Sequence, residues 1–210
     1  AVIAALTGLK AKILTQVESF GTNTIFVTPR RPDRGPMRHA SWWQTQLLPE
    51  QFDGMLEHCP SVARFSRSGS VGLHTVRAGE RSADNVQING IEPEYHEIES
   101  RPVVLGRKFS MIDNDQARQV CLIDPTLRDE LRLDKDCTGR IIRIGHYAFR
   151  IVGVIERRPR MGFMDTGSDR YEVFVPFSTL DKLGDYWMSV FAASKSAKLE
   201  CYFANLAKAE

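Results

Sequence analysis

Side chains able to do chemistry are few in this chain, and they are scattered. Cys59 follows His58, but neighbours on a helix point about 100° apart, so thiol and imidazole do not face each other as a nucleophile and its base must. A partner for Cys59 would have to come from His39, His74, His96 or His146. Cys121 sits in the apolar run Val120-Cys121-Leu122-Ile123 and reads as core. The five histidines show no H-x-x-x-H or H-x-H spacing, and the four cysteines at 59, 121, 137 and 201 show no C-x-x-C. A zinc ribbon, a local disulfide or a metal site is therefore not expected. Acids cluster at Glu92, Glu94, Glu97 and Glu99, and again at Asp113, Asp115, Asp129, Glu130, Asp134 and Asp136. In turns and at helix edges these read as solvated carboxylates. Gly69, Gly72, Gly139 and Gly145 read as strand punctuation, and neither G-x-x-x-x-G-K-S/T nor G-x-G-x-x-G occurs. No catalytic residue, cofactor site or metal site is expected.

Two surface features point to contacts instead of catalysis. Residues 156–170 carry Arg157, Arg158 and Arg160 and then Met161-Gly162-Phe163-Met164, a loop with an apolar tip. Met161 and Phe163, with the three arginines, are candidate partner contacts, or else the tip folds back onto the body. Residues 29–40 hold three prolines and four arginines and read as an exposed basic loop, either a solvated linker or a contact for anionic lipid. Over all 210 residues, 28 Lys+Arg stand against 26 Asp+Glu, a net +2. No global field would hold a nucleic acid. The apolar share of 42% suits an ordinary globular core.

These features must be carried by a mixed α/β body. Apolar residues at 2, 3, 6, 9, 13, 17 and 20 share one helical face, with Leu6, Leu9, Ile13 and Val17 as its stripe. Gly21 stops that helix, and Thr24 to Thr28 reads as a strand. A second short helix is expected to begin at Pro49, with Pro at its first turn, and to end at Cys59-Pro60. Strands follow at 61–66, 71–78, 86–91, 120–123, 141–144, 149–155 and 172–175, with a third short helix at 125–133. Many short strands suggest a curved sheet or small barrel. A closing helix is expected over 192–210, with Leu199, Phe203 and Leu206 on one face. No run of 18 uncharged apolar residues occurs. The start on Ala1-Val2-Ile3 without Met reads as that of an excised piece.

Several ordered segments resemble the extracytoplasmic core domain of the macrolide-exporter-type ABC permeases. They are Gln16 to Val27, Asn89-Gly90-Ile91-Glu92-Pro93-Glu94-Tyr95, Gly106-Arg107-Lys108-Phe109 with Asp113 behind it, Thr138 to Ile144, Phe149 to Ile155, and Val173 to Thr179. The resemblance implies a porter-like α/β subdomain from about 1–72 and 171–210, a strand-rich subdomain inserted at about 73–170, and flanking stalk helices. It also implies a domain on the periplasmic side of the inner membrane, between two membrane helices, that relays ATP-driven movement without catalysis of its own. The implied partners are a cognate ATPase domain or subunit, the membrane helices, a periplasmic adaptor in some members, and a second copy in a homodimer. The sequence departs from the family where an asparagine-proline pair is common, having Asp136-Cys137-Thr138 instead. A periplasmic binding module or hydrolase is the alternative class, and convergent polar groups in a pocket would favour it.

Overall fold

The computed structural model describes residues 24–30, 33–39, 41, 44–157 and 170–194. With elements numbered in chain order, β1 is Thr24–Val27, α1 Met55–His58, β2 Val62–Ala78, β3 Arg81–Ile91, α2 Tyr95–Ile98 and β4 Val103–Gly106. Then come α3 Met111–Asp115, β5 Val120–Ile123, α4 Pro125–Glu130, β6 Ile141–Ile144, β7 Tyr147–Ile155, β8 Tyr171–Pro176 and β9 Trp187–Ser194. Short 3-10 turns add Pro36–His39, Pro49–Phe52 and Phe177–Lys182.

The strands form one mixed sheet in the order β1-β9-β2-β3-β8-β5-β7-β4, and β6 bonds to both β2 and β7. That last pairing closes a ring, β2-β3-β8-β5-β7-β6 and back to β2, so the expected small barrel is present. Its interior follows from strand alternation: Val76, Val86, Ile88, Cys121, Ile123, Ile142, Ile144, Phe149, Ile151 and Val173 are buried in a single cluster. Leu127 and Leu131, in and just after α4, join that cluster. A second cluster, with Ile91, Tyr95, Phe109, Leu122, Ile155 and Phe174, lies on the outside of part of the wall.

Sheet closure depends on the length of β2. The expected strands 61–66 and 71–78 are one strand of 17 residues, which pairs with β9 over its first half and with β6 near its end. Gly69 does not interrupt it. Gly69 and Gly90 face each other across β2 and β3, and a Cβ on either would run into the buried Leu180 side chain. The pair therefore leaves the room Leu180 fills. The helix expected from Pro49 to its stop at Cys59-Pro60 is a 3-10 turn and α1, separated by Gly54 at φ 69°. The helix expected from Ala192 is overridden at 192–194, where β9 pairs with both β1 and β2. Its remainder lies outside the described residues. The expected subdomain limit at 72/73 falls inside β2. Among the described residues no helix is long and apolar enough to cross a membrane.

Candidate functional site

Strands β1 and β9 run antiparallel with Thr24 opposite Ala193, so the first and last described strands are neighbours in the sheet. Phe26 packs edge-on against Phe191 with ring centres 4.9 Å apart. Ser194 Oγ donates to the Ser61 carbonyl at 3.4 Å, and Thr24 Oγ1 donates to the Ile98 carbonyl at 3.4 Å. The latter bond ties the start of the sheet to α2.

Behind α2 lies Arg101, only 4% exposed. Its Nε donates to the Glu156 carbonyl at 2.8 Å, and its terminal nitrogen donates to Glu172 Oε2 at 2.5 Å. The guanidinium carbon stands 4.7 Å from the centre of the Phe174 ring. Burial disfavours the charged guanidinium, but the Glu172 carboxylate outweighs it and holds the Arg101 pKa above its usual value. Arg101 thus clasps Glu156, just before residues 158–169, to Glu172, just after them. His96 fixes the backbone of that clasp: its Nδ1–H donates to the Arg101 carbonyl at 3.0 Å, and Arg101 N–H donates back to the His96 carbonyl at 3.1 Å. Burial lowers the His96 pKa, against the pull of the carbonyl bond, and the Lys108 and Arg101 charges lower it further. The ring is therefore neutral near pH 7, and its buried Nε2 has no partner among the described residues. Beside the clasp, a cavity of about 250 Å³ is lined by Ser68, Asn89, Tyr95, Trp187 and Phe191.

Two of the acids read as solvated are buried instead. Glu92 accepts from Arg67 N–H at 2.7 Å and from Arg67 Nε at 2.9 Å. Asp113 accepts from Arg107 at 2.6 and 3.2 Å and from Ser110 N–H and Oγ–H at 2.9 and 2.8 Å. Burial alone would raise the Asp113 pKa, yet the Arg107 and Ser110 hydrogen bonds and the Arg107 charge bring it from 3.8 down to about 2. Gly106, at φ 81°, lets β4 approach β7 where a Cβ would strike the Val152 carbonyl. The Gly106-Arg107-Lys108-Phe109 segment with Asp113 thus has a physical content: close approach, ion pair and the buried Phe109 ring. A shallow cleft of about 490 Å³ beside it is lined by Leu56, Arg64, Glu97, Lys108 and Met111, with Arg64 and Lys108 both on Glu97 at 2.6 and 2.9 Å.

Of the residues singled out from sequence, Arg157 is half-buried at the end of the described segment after β7. Arg158, Arg160, Met161 and Phe163 lie outside the described residues, as do Leu6, Leu9, Ile13, Val17, Leu199, Phe203 and Leu206. His58 turns its Nδ1–H to the Gly54 carbonyl at 2.8 Å. Cys59, Cys121 and Cys137 are free thiols, and burial pushes the Cys121 and Cys137 pKa values up. Among the described residues no group of three or more His, Cys, Asp or Glu could hold a metal. Sequence reading did not single out Arg101 and Glu172, and it considered His96 only as a possible partner for Cys59, whereas its ring bonds the Arg101 carbonyl. Their link spans 71 residues from Arg101 to Glu172, a separation that no local sequence pattern displays.

The chain belongs to the family of MacB-like periplasmic core domains of ABC transporter permeases, whose profile matches residues 1–200. It is 29% identical over 179 residues to the macrolide export ATP-binding/permease protein MacB of Shewanella sp. (strain W3-18-1), covering 85% of this chain and 26% of that protein. It is 28% identical over 180 residues to the protein of that name from Vibrio parahaemolyticus, again covering 85% of this chain and 26% of that protein. The chain spans about a quarter of the length of these relatives. In fold it is similar to the periplasmic region of MacB from Actinobacillus actinomycetemcomitans, with a TM-score of 0.67, 22% identity and coverage of 87% of this chain and 79% of that one. The extracellular domain of the noncanonic ABC-type transporter YknZ from Gram-positive bacteria gives a TM-score of 0.65 at 21% identity, covering 83% and 85%.

Proposed function

We propose that this domain relays ATP-driven movement from one side of the inner membrane to a partner or substrate on the other, with no chemistry of its own. The observation that carries the reading is the register of β1 with β9. Thr24 faces Ala193, so the segments before and after the body join it at a single place. A change in their separation or angle acts directly on that strand pair and, through the Thr24 bond to Ile98, on α2 and the Arg101 clasp. In this reading Leu6, Leu9, Ile13 and Val17 pack against Leu199, Phe203 and Leu206 as a stalk continuous with two membrane helices. The ATPase is a separate domain or subunit, and two copies work as a homodimer. The porter-like part comprises about 1–72 and 171–210, and about 73–170 is the inserted part. Met161 and Phe163, with Arg157, Arg158 and Arg160, contact a periplasmic adaptor or substrate. The relatives' names make macrolide efflux the first activity to assay.

The test uses the full-length permease with its native cysteines replaced. Cysteines placed at Leu9 and Leu199 should cross-link within a chain, or between the two copies, with an efficiency that changes on adding ATP, and the cross-link should block efflux. Equal cross-linking with and without nucleotide, together with undiminished efflux, would overturn the relay.

A further inference from the structure

Where β2, β6 and β7 close the ring, their outward faces carry three arginines. Arg77 on β2 stands directly opposite Arg143 on β6, and Arg143 stands opposite Ala148 on β7. Arg150, two residues beyond Ala148, stands opposite Ile141. The alternate residues Val76, Ile142, Ile144, Phe149 and Ile151 are buried inside, so the three guanidinium groups share the outer face. None of them forms an ion pair with a carboxylate among the described residues, although Arg101, Arg107, Arg128 and Arg140 all do. Asp84, near in register on β3, is engaged by the Thr75 hydroxyl at 2.7 Å. Like charges directly opposite each other in a sheet are unfavourable. Such a concentration stands out on a chain of net charge +2. Ile141, 56% exposed, and Tyr147, 36% exposed, flank it with apolar surface.

The geometry points to a docking face for an acidic segment of a partner protein. Its carboxylates would meet the planar forks of Arg77, Arg143 and Arg150, and an apolar side chain would lie against Ile141 and Tyr147. Charge complementarity selects the acid, and the exposed Ile141 favours a polypeptide over a small anion. Location selects against a lipid surface. β2 begins at Val62, opposite Ser194, and Arg77 lies fifteen positions along it, up to about 50 Å away at roughly 3.3 Å per residue. That last step rests on the reading of both chain ends as facing one membrane.

The 210-residue chain is titrated with three probes: a fluorescent peptide rich in Asp, Glu and Leu, the same peptide with Lys for each acid, and phosphatidylglycerol vesicles. The acidic peptide should bind, with an affinity that falls as salt rises. Arg143→Glu should weaken it by roughly tenfold or more without lowering the melting temperature, and adding Arg77→Glu and Arg150→Glu should abolish it. Arg77→Gln with Arg150→Gln provides a milder pair that tests the same point should the triple reversal fail to fold. Peptide binding that ignores these changes, or no binding at all, overturns the proposal. Vesicle binding that depends on the same arginines makes the face a lipid surface and also overturns it. Because no nucleotide or membrane enters the peptide titration, its outcome is independent of the stalk cross-linking result.

Discussion

The ring of strands has two outer walls that treat arginine in opposite ways. Beside α2, Arg101 is almost fully buried and meets Glu172, the Glu156 carbonyl and the Phe174 ring. On the wall formed by β2, β6 and β7, Arg77, Arg143 and Arg150 stay in water, and two of them face each other. A guanidinium taken out of water must be matched group by group, because an unpaired buried charge is too costly to keep. Its partners therefore record a structural role. A guanidinium left in water needs no partner, so an unmatched group of them records no benefit to the fold. The covered wall is organised around holding the molecule together, and the bare wall around something outside it.

The largest expected effect tests the covered wall. Arg101→Leu strands Glu172 and the Glu156 carbonyl and should reduce unfolding free energy by about 3 kcal/mol, read by urea denaturation. Glu172 is partly exposed and can regain water, which keeps the loss from being larger. Arg101→Lys should recover only part of it, since an ammonium does not reproduce the fork that reaches both partners. If Arg101→Leu costs no more than an exposed substitution, the contrast between the walls is false.

Next in size is the interior that both walls share. Gly90→Ala places a methyl group against Leu180, which is fully buried and packed. Overpacking of this kind should cost about 1–3 kcal/mol. Combining it with Leu180→Ala should give a loss smaller than the sum of the two single changes, because each relieves the other. Strict additivity would show that Leu180 moves aside freely.

A third effect is the pH dependence that Asp113 contributes. The Asp113 carboxyl is held at about 2 in the fold, below its ordinary 3.8. A lowered carboxylate value adds stability that is complete well above 3.8 and is lost as pH falls through 3.8 toward 2. Half of the Arg107 side chain is in water, so screening trims the contribution to about 1–2 kcal/mol. Stability measured from pH 6 down to pH 2 should fall less steeply in Asp113→Asn than in the wild type. Arg77→Gln with Arg150→Gln leaves the Asp113–Arg107 pair untouched, so it should leave the slope unchanged.

The difference between the walls also marks what could be read from the sequence. Strands β5, β6, β7 and β8 were legible within two residues because each alternates or is continuously apolar, as in Val120-Cys121-Leu122-Ile123. α4 was legible from the near-helical spacing of Leu127, Leu131 and Leu133, although it ends at Glu130, and Asp124 caps it through the Leu127 N–H at 2.7 Å. β9 was missed: no strand was read over 187–191, and Ala192, Ala193 and Ser194, which have little strand propensity, were read as helix where two flanking strands decide their conformation. α2 has four residues, too few to show a period. Ring closure rests on bulges in β2 and on its pairing with β6, which are non-local facts. The functional features divide similarly. The resemblance of the Asn89 to Tyr95 and Gly106 to Asp113 segments was visible, but its cause, Gly90 under Leu180 and Asp113 under Arg107, was not. Arg77, Arg143 and Arg150 each sit at an outward position of an expected strand. Their convergence required the register.

The smallest expected effect is the most discriminating. Arg143→Glu turns the like-charged pair with Arg77 into an opposite-charged one across β2 and β6. It leaves the buried neighbours Ile142 and Ile144 untouched. Cross-strand pairs of this type contribute roughly 0.2–1 kcal/mol, so the variant should be slightly more stable than the wild type at low salt, and the gain should shrink as salt rises. Arg77→Glu with Arg143→Glu restores like charges and should return stability to near the starting value, which separates the pairing from any effect of helix, strand or net charge. A gain that appears in the single variant and vanishes in the double would mean the wild-type sequence gives up stability at this position. That is the behaviour of a surface kept for a partner. A loss in the single variant would mean the guanidinium of Arg143 already contributes to the fold, and the bare wall would then differ from the covered one in exposure alone.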